Sequence, residues 1–442
     1  MNKIKLILML LLVIATCNLR AQQQPLPLTI DSAIRLSIQQ SKQLKISQSK
    51  IESARAKYLQ AKALALPSAK ISASYTRLSN NIDPFTLQLP ATGVIKTLNP
   101  QIVNHYTPMA NISQVLYAGG QIKYAERSMQ LLEAASRFDL EKNKSDIIYN
   151  TISAWFNLFK IQHTRKIVEE NINQVRGHLY DIRNYEKNGL ALKNDVLKIE
   201  LQLSSLEHTL IEINSVLEIA GYNMSIMLGL PASTIYQLVP TAPMHAGFDN
   251  MEAFQDEALA NRADLKAMNK RIGMAVLGVK SAYGNYYPVI SMGGNYYYNR
   301  PNQRAFPQED QFKATWDAGV TLSWNIHSLY TNRHRIAENK AALWQVQVEK
   351  EQLSDAVKTE VNTDYLTYLK NKEKIRVSAI SVTQAEENYR IISNRFRNNT
   401  VLITDLTDAS TLLLQAKINL LVDKADTELS YYKILQSTGS IK

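Results

Sequence analysis

The chain has 442 residues, with 50 Lys+Arg against 39 Asp+Glu (formal net charge +11) and 45% hydrophobic residues. Its 15 glycines and 13 prolines are too few for a collagen-like or low-complexity chain, and the apolar fraction is too high for a disordered one. The single cysteine, Cys17, excludes a disulfide framework and any cysteine-based zinc site.

At the start, Lys3 and Lys5 precede an apolar run from Leu6 to Ala15, followed by Leu19-Arg20-Ala21 and Gln22-Gln23-Gln24. This is the layout of a secretory signal peptide over residues 1–21. Its removal takes Lys3, Lys5 and Arg20 with it and leaves a cysteine-free chain of net charge +8. The alternative, lipidation of Cys17 after Ile14-Ala15-Thr16, is disfavoured by the threonine. Beyond this segment no run reaches the roughly 18 apolar residues of a membrane helix, so a membrane crossing would have to be made of strands.

Proline spacing sets out the rest. The prolines cluster at Pro25 and Pro27, Pro67 to Pro108, Pro231 to Pro243, and Pro288 to Pro307, leaving proline-free blocks of 39 (28–66), 122 (109–230), 44 (244–287) and 135 (308–442) residues. A short block, a proline-bearing segment and a long block therefore occur twice, over residues 22–240 and 241–442, an internal duplication. Proline costs about 3 kcal/mol inside a helix, so its absence over such lengths is what long helices require.

Each short block reads as a short helix. Each proline-bearing segment holds two strands of period two. In the first repeat these are Ile71, Ala73 and Tyr75 against Lys70, Ser72, Ser74 and Thr76, then Ala110 and Ile112 against Asn111 and Ser113. In the second they are Ile290, Met292, Tyr296 and Tyr298 against Ser291 and Asn295, then Trp316, Ala318, Val320, Leu322, Trp324 and Ile326 against Asp317, Gly319, Thr321, Ser323 and Asn325. One greasy and one polar face fit a transmembrane barrel wall, and the strands alone fit a soluble sandwich half-buried on one face as well. The segments 79–107 and 300–311 are then external loops, and Gly119-Gly120 is a strand-to-helix hinge.

The long blocks each read as two antiparallel helices, turning at Asn188-Gly189 and Asn398-Asn399. Val196, Ile199, Leu203, Leu206 and Leu210 step by 3, 4, 3 and 4, and Leu406, Ala409, Leu413, Ala416 and Leu420 repeat that heptad seam 210 residues later. The partner stripes are Val168, Ile172, Val175, Leu179 and Ile182, and Leu353, Val357, Val361, Tyr365 and Leu369. A helix from about 120 to 186 would be ~100 Å long at 1.5 Å per residue, too long for a compact bundle. A spanning sheet must also close, and barrels need at least about eight strands. Four strands per chain must therefore be pooled between copies.

This layout resembles the TolC-like outer-membrane efflux family over essentially the whole mature chain. The most specific match is Thr404-Asp405-Leu406-Thr407-Asp408-Ala409-Ser410-Thr411-Leu412, similar to the family segment in which two aspartates three apart follow the second turn. Phe396 stands where the family usually has an aromatic, and Tyr185-Glu186-Lys187-Asn188-Gly189 is the first-repeat counterpart. The resemblance implies a mainly α chain with a β membrane part. As a homotrimer in outer-membrane lipid it would form a shared twelve-stranded β-barrel and an α-barrel tunnel across the periplasm, docked to a periplasmic adaptor and through it to an inner-membrane pump.

Asp405 and Asp408, three apart at a helix start, would give stacked carboxylate rings at the narrow end, of the kind that select cations. Taken as isolated acids they would be N-terminal helix charges; the motif match favours the rings. Asp195 is the counterpart of Asp405, but Lys198 replaces that of Asp408. Some relatives lock the closed tip with an arginine shortly after the second turn. Val401 occupies that region here, so closure is expected from Leu192 and Leu402 packing beside the turns, with Phe396. Gly189, Leu190, Ala191 and Leu192, with Thr400, Val401, Leu402 and Ile403, are the expected adaptor contacts.

An enzyme is the first competing class. His105, His163, His178, His208, His245, His327 and His334 show no metal-ligand spacing, no cofactor or metal is expected, and the basic charges are too scattered for nucleic acid. A periplasmic coiled-coil adaptor would share the heptads but has one nested hairpin, not two in tandem. Within the channel reading, an outer-membrane component of type I protein secretion stands beside drug or metal efflux.

Overall fold

A computed structural model describes residues 25–81, 83–88, 90–99, 101–240, 250–398 and 400–441. The expected signal peptide with Cys17, and Asn399 of the second turn, lie outside the described residues. The chain forms two compact units, one of Met1–Ile46, Leu140–Ala263 and Ser354–Lys442, the other of Ser47–Asp139 and Asp264–Leu353. Each unit thus draws on both repeats.

The two halves of the chain are built from elements of matching length. Where one short helix per repeat was expected there are two, α1 (Ile30–Gln40) and α2 (Lys42–Ala63), then α5 (Met251–Asn261) and α6 (Ala263–Gly284), of 11 and 22 residues in both repeats. The break falls at Ser41 (φ −58, ψ 113) and at Arg262 (φ −57, ψ 129), both extended rather than helical. Ser41 then starts the next helix by accepting a hydrogen bond from the Leu44 N–H at 3.2 Å. The long hairpins are α3 (Gln121–Lys187, 67 residues) with α4 (Lys193–Leu228, 36), and α7 (Ser328–Arg397, 70) with α8 (Ile403–Ser437, 35).

In the second unit, β2 (Ser68–Ser72), β7 (Met109–Ala118), β9 (Val289–Asn299) and β10 (Lys313–Ser323) form one antiparallel sheet in the order β10-β9-β7-β2. These are the four expected strands, two from each repeat. Residues paired directly across antiparallel strands share a face. Ala110, Tyr296 and Trp316 align on one side, and Lys70, Asn111, Asn295 and Asp317 on the other. The polar row is bonded laterally: Asn111 Nδ2 donates to Asn295 Oδ1 at 2.7 Å, and Asn295 Nδ2 to Asp317 Oδ1 at 2.7 Å. The apolar face is bare to solvent, with Trp316 74% exposed.

Two boundaries differ from expectation. The alternation around Trp316 extends to Ile326, but β10 ends at Ser323; the Trp324 indole instead donates to the Tyr286 carbonyl at 3.1 Å. The first strand stops at Ser72, and Tyr75 opens β3 (Tyr75–Arg77), which pairs with β6 (Asn104–Tyr106). The segment 79–107, expected as a loop, also carries the hairpin of β4 (Phe85–Gln88) and β5 (Ile95–Asn99). The hinge between β7 and α3 is where expected: Gly119 and Gly120 have φ of 60 and 78. A Cβ on Gly119 would lie 2.1 Å from the Gly284 carbonyl oxygen, so the backbones of these segments meet directly.

In the first unit, a core of Ile148, Ile152, Trp155, Met224, Leu228 and neighbours packs under a parallel pair of β1 (Leu26–Leu28) and β8 (Tyr236–Leu238) that sequence patterning does not reveal. The Trp155 indole donates to the Leu28 carbonyl at 3.0 Å, fixing the strand to α3. Among the described residues no helix is long and apolar enough to cross a membrane.

Candidate functional site at the hairpin turns

Both hairpins of the first unit end in turns of the same construction. Helix α3 stops because Gly189 takes φ 71; its N–H bonds to the Glu186 carbonyl at 3.0 Å and the Leu190 N–H to the Tyr185 carbonyl at 2.8 Å. In the second repeat the Thr400 N–H bonds to the Arg395 carbonyl at 2.9 Å, the same bond 210 positions on.

The following helices open alike. Leu192 and Leu402 are the N-caps, extended at ψ 152 and 155, and a leucine side chain has no oxygen with which to cap. The aspartate three residues on supplies one. The Leu192 N–H donates to Asp195 Oδ2 at 3.3 Å and the Leu402 N–H to Asp405 Oδ2 at 3.2 Å, half of a capping box, with the negative charge at the positive end of the helix dipole.

Asp405 and Asp408 are thereby distinguished. Both are exposed, but Asp405 is engaged as a cap, and Asp408 has no hydrogen-bond or ion-pair partner among the described residues. Lys198, at the position matching Asp408, lies 3.7 Å from Asp195. The first turn is therefore locally neutralised, and the second keeps two acidic groups. The helix-charge reading holds directly for Asp405.

The apolar residues divide in two. Phe396 is 5% exposed and packs with Ile182, Val196, Ile199, Ile403 and Leu406 in one core shared by both hairpins, partly lined by Tyr185, Ala191 and Val401. Leu192 (70% exposed) and Leu402 (71%) stand outside it, as does Leu190. Within one chain the two leucines do not pack beside the turns; they project from them.

The heptad stripes fill the seams as expected, except that after Val361 the buried position is Tyr368, while Leu369 is exposed. Spacing by fours drifts off a face whose repeat is 3.5. Sequence reading also missed two buried polar contacts behind the turns. Asn171 Nδ2 donates to Ser410 Oγ at 3.0 Å, and His178 Nε2 and the Tyr389 hydroxyl lie 2.7 Å apart. Burial pushes the His178 imidazole below its ordinary range. Each of these side chains sits on an otherwise apolar stripe, and nothing else in the residue pattern marks them.

Residues 255–440 match the family model of the outer membrane efflux protein. That match lies within the second repeat. Likeness of fold to solved structures extends over the first repeat as well. The outer-membrane channel OprN aligns with 93% of this chain and 90% of its own at 18% identity and a TM-score of 0.77. VceC of Vibrio cholerae aligns over 93% and 96% at 16% identity (TM-score 0.75), and CusC over 93% and 92% at 13% (TM-score 0.79). A search of curated proteins gives no match.

Proposed function

We propose that the chain is one protomer of the outer-membrane duct of a tripartite efflux system, a passive conduit in the cell outer membrane that extends into the periplasm. The observation that carries this reading is the sheet of β2, β7, β9 and β10. It is apolar on one face, polar on the other, and has no strand paired to the outer edge of β2 or β10 among the described residues.

In hydrocarbon such edges leave backbone donors and acceptors unsatisfied at a cost of several kcal/mol each. Three copies pairing β10 of one to β2 of the next remove every edge and yield twelve strands. The apolar face then meets lipid and the polar face water. At the hairpin turns Leu190, Leu192 and Leu402 offer apolar contacts to a periplasmic adaptor that links the duct to an inner-membrane pump. Phe396 holds the two hairpins of each protomer together, and Asp405 and Asp408 place acidic rings at the entrance.

The test is detergent extraction from outer membranes followed by mass measurement and planar-bilayer recording. A trimer that conducts is expected. A monomer soluble without detergent, or a trimer that forms no pore, overturns the reading.

A further inference from the structure

The loop between β9 and β10 does not extend away from the sheet; it folds back over one face of it. Asn302 is 1% exposed, and its Nδ2 donates to the Lys313 carbonyl at 2.8 Å and to Thr315 Oγ1 at 3.3 Å. Its own Oδ1 accepts from the Arg304 N–H at 2.9 Å, which turns the Arg304 side chain down onto the sheet. There the guanidinium pairs with Asp317 Oδ2 and stacks 4.4 Å from the centre of the Tyr297 ring.

Every one of these sheet contacts is on the polar face. Thr315 and Tyr297 are directly paired across the two strands, and Asp317 ends the row that runs through Asn295 and Asn111. The opposite face, with Trp316, is left bare. The loop also lies at the strand ends remote from the helices, since Ala118 and Val289 are the ends adjoining α3 and α6.

Resting on the duct reading above, in which the polar face lines the lumen, we propose that Arg304 and Asp317 latch loop 300–312 inside the outer mouth as a second constriction that helps decide what passes. It is separate from the acidic entrance at the hairpin turns. Three copies would bring three such latches to one level. The passage there is set by side chains that pair with each other across the loop, so its width depends on their bond and not on the fold of the strands.

Single-channel conductance of the full-length trimer in planar bilayers tests this. Arg304→Ala and Asp317→Asn should each raise conductance and admit larger neutral polymers from the outer side. The exchanged pair, Arg304→Glu with Asp317→Arg, should return both toward the parent value, which generalised damage to the barrel would not do. As a second measurement, Asn302→Cys with Thr315→Cys in the Arg304→Ala background should lower conductance on oxidation and restore it on reduction. Conducting trimers whose conductance and polymer exclusion ignore all of these changes overturn the latch and leave the duct standing. Trimers that insert without conducting overturn the duct and the latch with it.

Discussion

The aromatic ring of Tyr185, two residues before the end of α3, lies 6.1 Å from that of Phe396, one residue before the end of α7, and the Tyr185 hydroxyl donates to the Arg397 carbonyl at 3.3 Å. The two hairpin ends of one chain are thus fastened by an aromatic pair of which one member is buried and the other half-exposed. Phe396→Ala should cost about 3 kcal/mol, the usual loss for a core phenylalanine. Hydrogen exchange at 180–200 and 395–410 should accelerate while the strands stay protected. Tyr185→Phe, which removes one partly solvated hydrogen bond, should cost about 0.5–1 kcal/mol.

The two turn aspartates make the same backbone contact and should cost the same locally. Asp195→Ala and Asp405→Ala should each destabilise by about 0.5–1 kcal/mol through loss of the helix-start bond. Only removal of Asp405 and Asp408 together should weaken divalent cation block in planar bilayers. Unchanged conductance and unchanged block in that double variant would remove the pore role and leave both as helix charges.

Leu192→Glu and Leu402→Glu change side chains that touch little within the chain. Trimer yield and thermal stability should match the parent, while co-purification with the adaptor and drug or metal resistance should be lost. Retained export would show that the adaptor docks elsewhere.

A polar clamp in the first unit sets a pH response. Arg262 donates to Glu360 Oε2 at 2.6 Å and to the Ser437 carbonyl at 3.2 Å; Lys433 lies 2.8 Å from Glu360 Oε1 and 4.0 Å from Asp364 Oδ2. Burial raises the affinity of both carboxyls for a proton. At Glu360 the bonds from Lys433 and Arg262 outweigh it and hold the group below its usual range, whereas Asp364 stays above its own. The stability from Glu360 is therefore present above the ordinary glutamate range and is lost as pH falls through its depressed value. Asp364 works in the opposite sense: its ionisation costs stability as pH rises through the carboxylate range. Glu360→Gln should destabilise at neutral pH by about 1–2 kcal/mol, discounted for partial exposure, and by little in acid. Asp364→Asn should raise the melting temperature at neutral pH. Thermal melts from pH 4 to pH 8 check both signs.

Gly119 and Gly189 both take left-handed backbone, yet they should respond differently to asparagine, which tolerates that conformation. A Cβ at Gly189 meets nothing within 4 Å, and the second repeat carries Asn399 at the matching position. Gly189→Asn should be nearly neutral. Gly119→Asn drives an atom into the Gly284 carbonyl and should abolish trimer formation, read by native electrophoresis.

Much of this architecture is legible before any coordinates, because its signals are long. Proline exclusion over whole blocks and heptads repeated 210 residues apart survive local noise, and the eleven-residue alternation around Trp316 found β10 to within three residues. Features that depend on a single residue were not legible. The helix breaks at Ser41 and Arg262 involve neither glycine nor proline, and Arg262 is held extended by partners almost a hundred positions or more away. The pairing of Leu26–Leu28 with Tyr236–Leu238 spans three residues, too few for a period to register. At the turns the sequence located Asp405 but not its contact, since a leucine N-cap gives no hint that the aspartate three places on will serve the backbone in its stead.

The matched lengths of the hairpins have a mechanical consequence. Helix α7 exceeds α3 by three residues and α4 exceeds α8 by one, so the reach of one hairpin differs from that of the other by only ~5 Å, about one helical turn. Six such ends in a threefold assembly would come almost flush, and a level rim is what a gasket-like joint needs if cargo is to cross without leaking sideways.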